Sequence, residues 1–411
     1  METENKIQTF LKKHNFSTQI SDNLHEAILS DMKKGLEKGN ADQAMIRAGK
    51  AVIRNISKGE NAIIIDAGGT NFRSCLVTKT EDGIEVSDFQ RTSMPAIDRE
   101  LSKKEFYKAI TDNISRLKDK SDKISFCFSY AMEITEDGDG KILRFSKEVK
   151  AQDAVGSYIG KELFAELKKQ GWKKIQKISV LNDTSALLLS SFTDSQKNWK
   201  SRIAFILGTG MNSAYILHNR IIVTECGMFN SIPQSHFDIT VDNHTSHPGL
   251  SVLEKMCSGV YLGEIAYQMI KTACDEGLFS DNFADEAAKL PSISTMDFDG
   301  LFIKGKETKL TELLKHGTQE DSKILITLIT AIITRSANLT AETIYSAVVS
   351  ADKEKEELPI CITCNGSTFW KTPLLKETVE DRLKDLLQQP FEIIQIDDDI
   401  TKGSFAAAFI D

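Results

Sequence analysis

Two glycine-rich segments carry the residue types that hold phosphate oxygens: Asp66-Ala67-Gly68-Gly69-Thr70-Asn71 and Gly208-Thr209-Gly210-Met211-Asn212. Each lies between β-like runs. Ala62 to Ile65 leads into the first and Phe72 to Thr78 leaves it, while Ile203 to Leu207 and Ser213 to Leu217 flank the second. A tight turn between a strand and its return aims backbone N–H groups and a threonine hydroxyl into a small concavity. Only glycine lets the backbone come that close to an anion. One such turn is ordinary hairpin chemistry. Two, about a third of the chain apart, imply a nucleotide clamped between similar halves.

Asp183 and Asp66 stand where chemistry beside such a clamp would need carboxylates. Asp183 follows a strand-like run ending at Leu181, so it sits at the strand's C-terminal edge and can take a proton from an alcohol. Followed by Thr184 and the apolar run Ala186 to Leu189, it serves equally as a helix N-cap. Asp66 closes the strand before the first turn. It can hold Mg²⁺ through water, because this cation dehydrates reluctantly, or it can simply open the turn. Arg73, on the returning strand, either neutralises phosphate charge or decorates the strand surface.

The elements that must position these residues form two series. The first has strands over 61–66, 71–79 and 84–93, a helix near 102–118, a strand over 124–130, a helix near 157–170 and a strand over 176–182. The second has strands over 202–208, 211–217 and 221–225, a long helical insertion, a strand over 358–364, a helix near 370–388, a strand over 391–396 and a final helix from Lys402. Both read β-β-β-α-β-α-β. Residues 1–57 read as helical and polar, with Ser21 as N-cap and Gly39 as the stop of a helix carrying Leu24, Ile28, Met32 and Leu36.

At 411 residues the chain exceeds one ordinary core, and 41% hydrophobic with 27% charged residues excludes general disorder. A net charge of −8 argues against a nucleic-acid or anionic-membrane partner, so any polyanion is held locally by N–H groups, a few cations and a metal. The N-terminus has no apolar leader, and Ile324 to Ile333 is too short to span a bilayer and reads as a buried helix. A soluble, cytoplasmic protein is expected. Its seven cysteines read as small hydrophobes of a reducing compartment, Cys361 and Cys364 included. His244 and His247 lack a third metal ligand and read as a polar loop.

The duplicated pattern is that of the actin, heat-shock ATPase and sugar kinase superfamily, and short motifs sharpen the resemblance. Phe126-Cys127-Phe128-Ser129-Tyr130, then Gly140 to Lys147, is similar to the sugar-binding signature of eukaryotic-type hexokinases. In the family's order follow Leu181-Asn182-Asp183-Thr184, Leu207 to Asn212, Thr224-Glu225-Cys226-Gly227, Pro248 to Lys255, Ser258 to Ile265, Arg335-Ser336-Ala337 and Asn365-Gly366-Ser367. The resemblance runs from about residue 60 to the C-terminus.

The resemblance to hexokinases implies an α/β, duplicated ribonuclease H-like (actin-like ATPase) fold with two domains around a central cleft. The small domain would be 58–183 with 401–411, and the large one 1–57 with 184–400. It implies ATP-dependent phosphorylation of glucose or a related hexose at the 6-hydroxyl, with ATP and Mg²⁺. Asp183 becomes the base, with Lys147 and Arg73 as cations at the transferring group. Ser129, Ser146, Lys147, Asn182, Asp183, Asn212, Glu225 and Glu254 would bind sugar. Asp66, Gly68, Gly69, Thr70, Asn71, Gly208, Thr209, Gly210, Gly366 and Ser367 would hold the nucleotide, Asp66 also holding Mg²⁺ through water. A monomer or homodimer is expected, with no nucleic-acid or membrane partner.

Departures from the family pattern are Ala131 for proline, Ser146 for threonine, and Cys226-Gly227 for tryptophan-glycine. Ser146 keeps the hydroxyl and its hydrogen bonding, whereas Ala131 and Cys226 loosen packing behind the sugar and motivate the alternative of a non-catalytic sugar sensor. The acidic stretch Glu133 to Asp139 reads as a solvated hairpin tip.

Overall fold

In a computed structural model the described residues are 2–21, 23–135, 138–145, 149–193, 198–353 and 357–410. The expected sugar-site residues Ser146 and Lys147 lie outside them. The strands are β1 (Ile46–Lys50), β2 (Asn61–Gly68), β3 (Asn71–Lys79), β4 (Ile84–Ser93), β5 (Lys123–Phe128), β6 (Met132–Ile134), β7 (Gly140–Ile142), β8 (Lys177–Leu181), β9 (Arg202–Leu207), β10 (Met211–Leu217), β11 (Arg220–Val223), β12 (Ile360–Asn365) and β13 (Phe391–Ile394).

Five of these form a sheet in the order β4-β3-β2-β5-β8, and six form a second in the order β1-β11-β10-β9-β12-β13. Leaving β1 aside, both sheets have the order 3-2-1-4-5 counted within each series. In each, the first three strands are antiparallel neighbours and the last two add in parallel: β2 pairs β3 antiparallel and β5 parallel, just as β9 pairs β10 and β12. Each glycine turn therefore joins the central strand to its antiparallel neighbour. The fold is the duplicated, actin-like α/β architecture expected from the sequence.

The central strand of the five-stranded sheet is buried on both faces, as its unbroken run Ala62 to Ile65 requires. Ile63 and Ile65 pack with Phe106, Ile110, Leu163 and Leu167 of the helices Lys103–Asn113 and Ile159–Lys169. Ala62 and Ile64 face the other way, onto Phe405 and Phe409 of the C-terminal segment. The helices Asp183–Ser190 and Asp399–Ala407 join the two sheets, sharing a small-residue core of Ala186, Leu187, Ala204, Ala214, Ala406 and Ala407. They touch closely: a Cβ on Gly403 would lie 1.7 Å from the Ala186 carbonyl oxygen.

The N-terminal segment departs from the all-helical expectation. Helices Glu2–Lys13 and Leu24–Leu36 form, but Ile46–Lys50 is a strand on the edge of the six-stranded sheet, Ile46 opposite Val223. Ile46-Arg47-Ala48-Gly49-Lys50 has little strand propensity, and its pairing is made by the tertiary neighbour. Asp31 helps turn the chain into it by accepting from the N–H groups of Asp42 (2.8 Å) and Gln43 (2.9 Å). Asn23, not Ser21, precedes the second helix, and its side chain makes no capping bond. The left-handed residue after that helix is Lys38 (φ 56°) rather than Gly39, which closes the turn by donating to Lys34 O at 2.8 Å.

Further along, the helix expected over 370–388 is two helices, Ser367–Lys371 and Leu375–Leu387, divided at Pro373, whose ring cannot continue the ladder. The last helix begins at Asp399, three residues before Lys402. The apolar run at Ile324 belongs to a 32-residue helix, Gln319–Ser350, long and apolar enough to cross a membrane, which corrects the expectation of too short a segment. Its most apolar window is 72% buried in protein, and Arg335 within it makes two 2.6 Å bonds to buried Asp238. The acidic stretch does join a hairpin of β6 and β7, its residues 136 and 137 lying outside the described ones, but Asp139 is not free in solvent. It accepts from the N–H of Lys161 (3.0 Å) and of Gly160, satisfying donors at the start of the helix Ile159–Lys169.

Candidate active site

Strand β8 ends at Leu181, and Asn182 caps the following helix, its Oδ1 accepting from Ser185 N–H at 2.9 Å. The capping duty falls one residue before Asp183. Asp183 becomes the first helical residue, with Oδ1 accepting from the Thr184 N–H (2.7 Å) and hydroxyl (3.1 Å). Both residues open onto a cavity of about 370 Å³ between the two sheets. Ser129, Asn212 and Glu225 share its polar wall. The remaining lining is apolar and includes Ile46, Ala48, Ala131, Met132, Leu143 and Met228. Larger hollows occur elsewhere, one of about 770 Å³ near Lys79 and Trp199. They lack buried carboxylates beside a glycine turn, so chemistry rather than size marks the site.

The polar wall is prearranged. Asn212 donates to Glu225 Oε1 at 2.7 Å, and its Oδ1 accepts from Glu225 N–H at 3.1 Å. Glu225 is itself left-handed, with φ 55°. Glu254 faces the second glycine turn: its Oε2 accepts from Met211 N–H at 2.9 Å, and a Cβ on Gly210 would lie 2.8 Å from it. It therefore braces that turn, a role its motif did not suggest. Ser129 lies against the first turn, its Cβ 3.3 Å from where a Cβ of Gly68 would be.

In the first turn Gly69 adopts φ 58° and accepts from the Tyr130 hydroxyl at 2.5 Å. Asp66 accepts from Arg73 at 2.8 Å, so cation and carboxylate face one another across β2 and β3. Asn71 is engaged by Arg91, whose guanidinium donates to its Oδ1 at 2.7 and 3.0 Å. Around the second turn, Gly208 O accepts from Gly259 N–H (2.9 Å) and from the Thr368 hydroxyl (2.8 Å). Gly366 packs on the same turn at φ 111°, and Ser367 and Thr209 are exposed beside it.

Negative charge dominates this cleft. Burial pushes the Asp183 carboxyl above the usual carboxylate range, against its Thr184 hydrogen bonds. Burial likewise raises Asp66, opposed by Arg73, and Glu225, opposed by Asn212; the charge of Asp183 raises both further. Glu254 is raised by burial against its bond from Met211. A site so supplied with acceptors suits a ligand rich in hydroxyl donors and a cation brought with a polyphosphate. Among the described residues no three His, Cys, Asp or Glu side chains are grouped to hold a metal. One carboxylate beside a phosphate turn fits Mg²⁺, which keeps water and takes substrate phosphates rather than an all-protein cage.

All the described candidates lie along this cleft or its two turns. Sequence reasoning missed the apolar wall from β1, the bracing by Tyr130 and Thr368, the Arg91 contact and Asp399. Tyr130 sits inside a quoted motif and was within reach, while Thr368 is the residue directly after Asn365-Gly366-Ser367. Residues Ala44, Ile46 and Ala48 of the wall carry no local signal at all. Six cysteines are buried and Cys274 is half-buried, and Cys361 lies in β12 with its sulfur 3.5 Å from the Thr363 hydroxyl.

Comparison with known proteins gives a consistent pattern. Two family models, both described as hexokinase, match in tandem over residues 6–193 and 202–410. Hexokinase-5 of Oryza sativa subsp. japonica is 26% identical over 423 residues, covering 90% of this chain and 81% of that protein. Hexokinase-1 of Schizosaccharomyces pombe is 25% identical over 406 residues, covering 90% and 82%. A Schistosoma mansoni hexokinase complexed with glucose has TM-score 0.73 and 21% identity over 99% of both chains. A second hexokinase crystal structure has TM-score 0.84 and 20% identity, covering 99% of this chain and 100% of its own. At those identities the two structures show the shared fold.

Proposed function

This chain belongs to the hexokinase family and phosphorylates a hexose at the expense of ATP, and on that premise we propose which residues do the work. The observation that carries the reading is the convergence of Ser129, Asn182, Asp183, Asn212 and Glu225 on one cavity between the two sheets. The substrate is glucose or a close hexose. Its hydroxyls both donate and accept, matching carboxylates and amides that do likewise.

Asp183 is the general base. It takes the proton of the 6-hydroxyl as the oxygen attacks the γ-phosphorus in line. The O–P bond to ADP breaks, and the leaving oxygen keeps the electron pair. The Gly208 N–H closes its own turn on Gly210 O at 2.9 Å, so the N–H groups of Gly68 to Asn71 and of Thr209 and Gly210 cradle the triphosphate from the two lobes, with Thr70 and Thr209 adding hydroxyls. Gly366 and Ser367 flank the adenosine side. Mg²⁺, when bound with ATP, neutralises phosphate charge, and Asp66 would hold it through water. Arg73 opposes the upward push of burial on the Asp66 carboxyl and stands as a cation beside the moving group. Lys147 and Ser146 are assigned to the sugar and the transferring group from the family motif.

The lobes, 58–183 with 401–411 and 1–57 with 184–400, close over the sugar, because water is a smaller nucleophile and only closure excludes it. The protein acts in the cytoplasm as a monomer or homodimer, without membrane or nucleic-acid partners. The test is a steady-state assay with ATP, Mg²⁺ and glucose, mannose, fructose or glucosamine. Hexose 6-phosphate is expected from at least one sugar. Absence of product from all four, despite sugar binding in calorimetry, would replace this reading by the sugar-sensor alternative.

A further inference from the structure

Asp399 is a buried carboxylate that the reaction described above does not use. It is 7% exposed, the first residue of the helix Asp399–Ala407, and it follows left-handed Asp398 (φ 53°). Its two oxygens have separate duties. Oδ1 accepts from Ile400 N–H at 2.7 Å, and Oδ2 accepts from the side-chain amide of Asn365. Asn365 in turn accepts, through its own Oδ1, from the N–H of Gly366. The chain of bonds thus runs from the head of the C-terminal helix, through the last residue of β12, to the Gly366 turn.

That turn has no slack. Gly366 sits at φ 111°, and a Cβ there would lie 2.1 Å from Leu207 O and 2.7 Å from Gly208 N. A shift of Gly366 therefore moves the second phosphate turn directly. The helix that Asp399 heads packs on the other lobe, with Phe405 against Ala62 and Ile64 of β2. Asp399 also feels the charge of Asp183, and both carboxylates act on buried Cys127. One residue therefore reaches the nucleotide turn of one lobe through Asn365 and heads the helix packed on the other, within electrostatic reach of the base.

We propose that Asp399 is a positioning residue for ATP, holding the Gly366 turn, and the Gly208 turn packed on it, through Asn365 in register with the interlobe helix. The proposal rests on the hexose-kinase reading, but its consequences fall on nucleotide affinity alone. Asn365 supplies one donor to Asp399 and one acceptor to Gly366. Asp399 needs only acceptors. The polarity is reversible: an aspartate at 365 can accept from Gly366 N–H, and an asparagine at 399 can donate to it while still accepting from Ile400 N–H.

The experiment uses the full chain and compares Asp399→Ala, Asn365→Asp and the double variant Asn365→Asp/Asp399→Asn. Michaelis constants for ATP and hexose are measured, with calorimetric titration by ADP and by glucose. Wild-type turnover is measured first, so a failure of the hexose-kinase reading shows itself separately, while the ADP titration remains informative. Asp399→Ala is expected to weaken ADP binding and raise the ATP Michaelis constant at least tenfold, with glucose affinity within twofold. Asn365→Asp, which sets a half-buried carboxylate against the buried Asp399, should lose at least as much. The double variant should recover nucleotide affinity to within about threefold. If Asp399→Ala leaves ADP affinity unchanged, or if the exchange restores nothing while the protein remains folded, the assignment is wrong. Equal losses of glucose and ADP affinity in the single variants would reduce Asp399 to a general structural role and also overturn it.

Discussion

The two glycine turns occupy equivalent positions in two sheets of the same strand order, yet their surroundings differ. The first is open. Nothing lies within 4 Å of a Cβ placed on Gly69, and the turn is held by the Tyr130 hydroxyl, by Ser129 beside Gly68, by the Met94 N–H on Thr70 O and by the Asn71–Arg91 pair on an exposed edge. The second is enclosed: Glu254 holds Met211, Gly259 and Thr368 hold Gly208, and Gly366 abuts Leu207. A repeated motif has thus become an adaptable jaw on one lobe and a rigid platform on the other. A prearranged platform would lower the ordering cost of the nucleotide binding proposed above, and the more open turn leaves room for the proposed closure.

The largest effect should separate holding from chemistry. If the turns hold and Asp183 reacts, Asp183→Ala lowers turnover at least about hundredfold while glucose and ADP still bind. A coupled assay with calorimetry on the same preparation checks it, and near-normal turnover would return the base role to another group.

The next effect contrasts the turns themselves. Gly366→Ala forces a Cβ into Leu207 O from a φ of 111°, so the ATP Michaelis constant should rise at least about tenfold. Gly69→Ala meets no neighbour and faces only the left-handed penalty of roughly 1–2 kcal/mol at φ 58°. The smaller loss should fall on Gly69→Ala. The reverse order would mean that the first turn is the rigid one.

A smaller effect concerns pH. Asp183 must be ionised to act, and its carboxyl is pushed upward by burial, so activity should fall on the acid side at a higher pH than an exposed aspartate would give. The limb is shared with Asp66 and Glu225, because the charge of Asp183 raises both. A pH profile of kcat/KM for the hexose at saturating ATP measures it.

The smallest effect is on stability, with its sign set by the same shift. A carboxyl raised in the folded state favours folding most below its unfolded value, and that favour is lost as pH rises through the folded value. Asp183→Asn removes the cleft charge and keeps an acceptor for Thr184. At neutral pH it should raise Tm by about 1 °C for each kcal/mol relieved, with no gain in acid. Melting curves across pH check it. A lower Tm at pH 7 would mean that the carboxylate is better compensated than its surroundings indicate.

Much of this was legible along the chain, for physical reasons. Strands such as Ala62 to Ile65 and Ile203 to Leu207 are buried on both faces, so their apolar runs announce themselves. A turn that receives backbone close to an anion must be glycine, so both phosphate turns stand out. Asp183 was open between cap and base because both roles place an acid at a strand-to-helix junction. Asn182 took the cap, which no local pattern decided. The strand β1 was hidden because its five residues acquire strand character only from Arg220–Val223 across the sheet edge.

The order of apolar runs and the two glycine turns determined the duplicated fold, its central strands and the neighbourhood of the reaction, since period and backbone permission are local properties. Three things waited for the tertiary structure: the apolar wall supplied by β1, the closer bracing of one turn than of the other, and the placing of Asp399 between Asn365 and the interlobe helix. Each depends on which residues from distant segments meet, and side-chain contact across 34 residues, as between Asn365 and Asp399, leaves no periodic trace in a sequence.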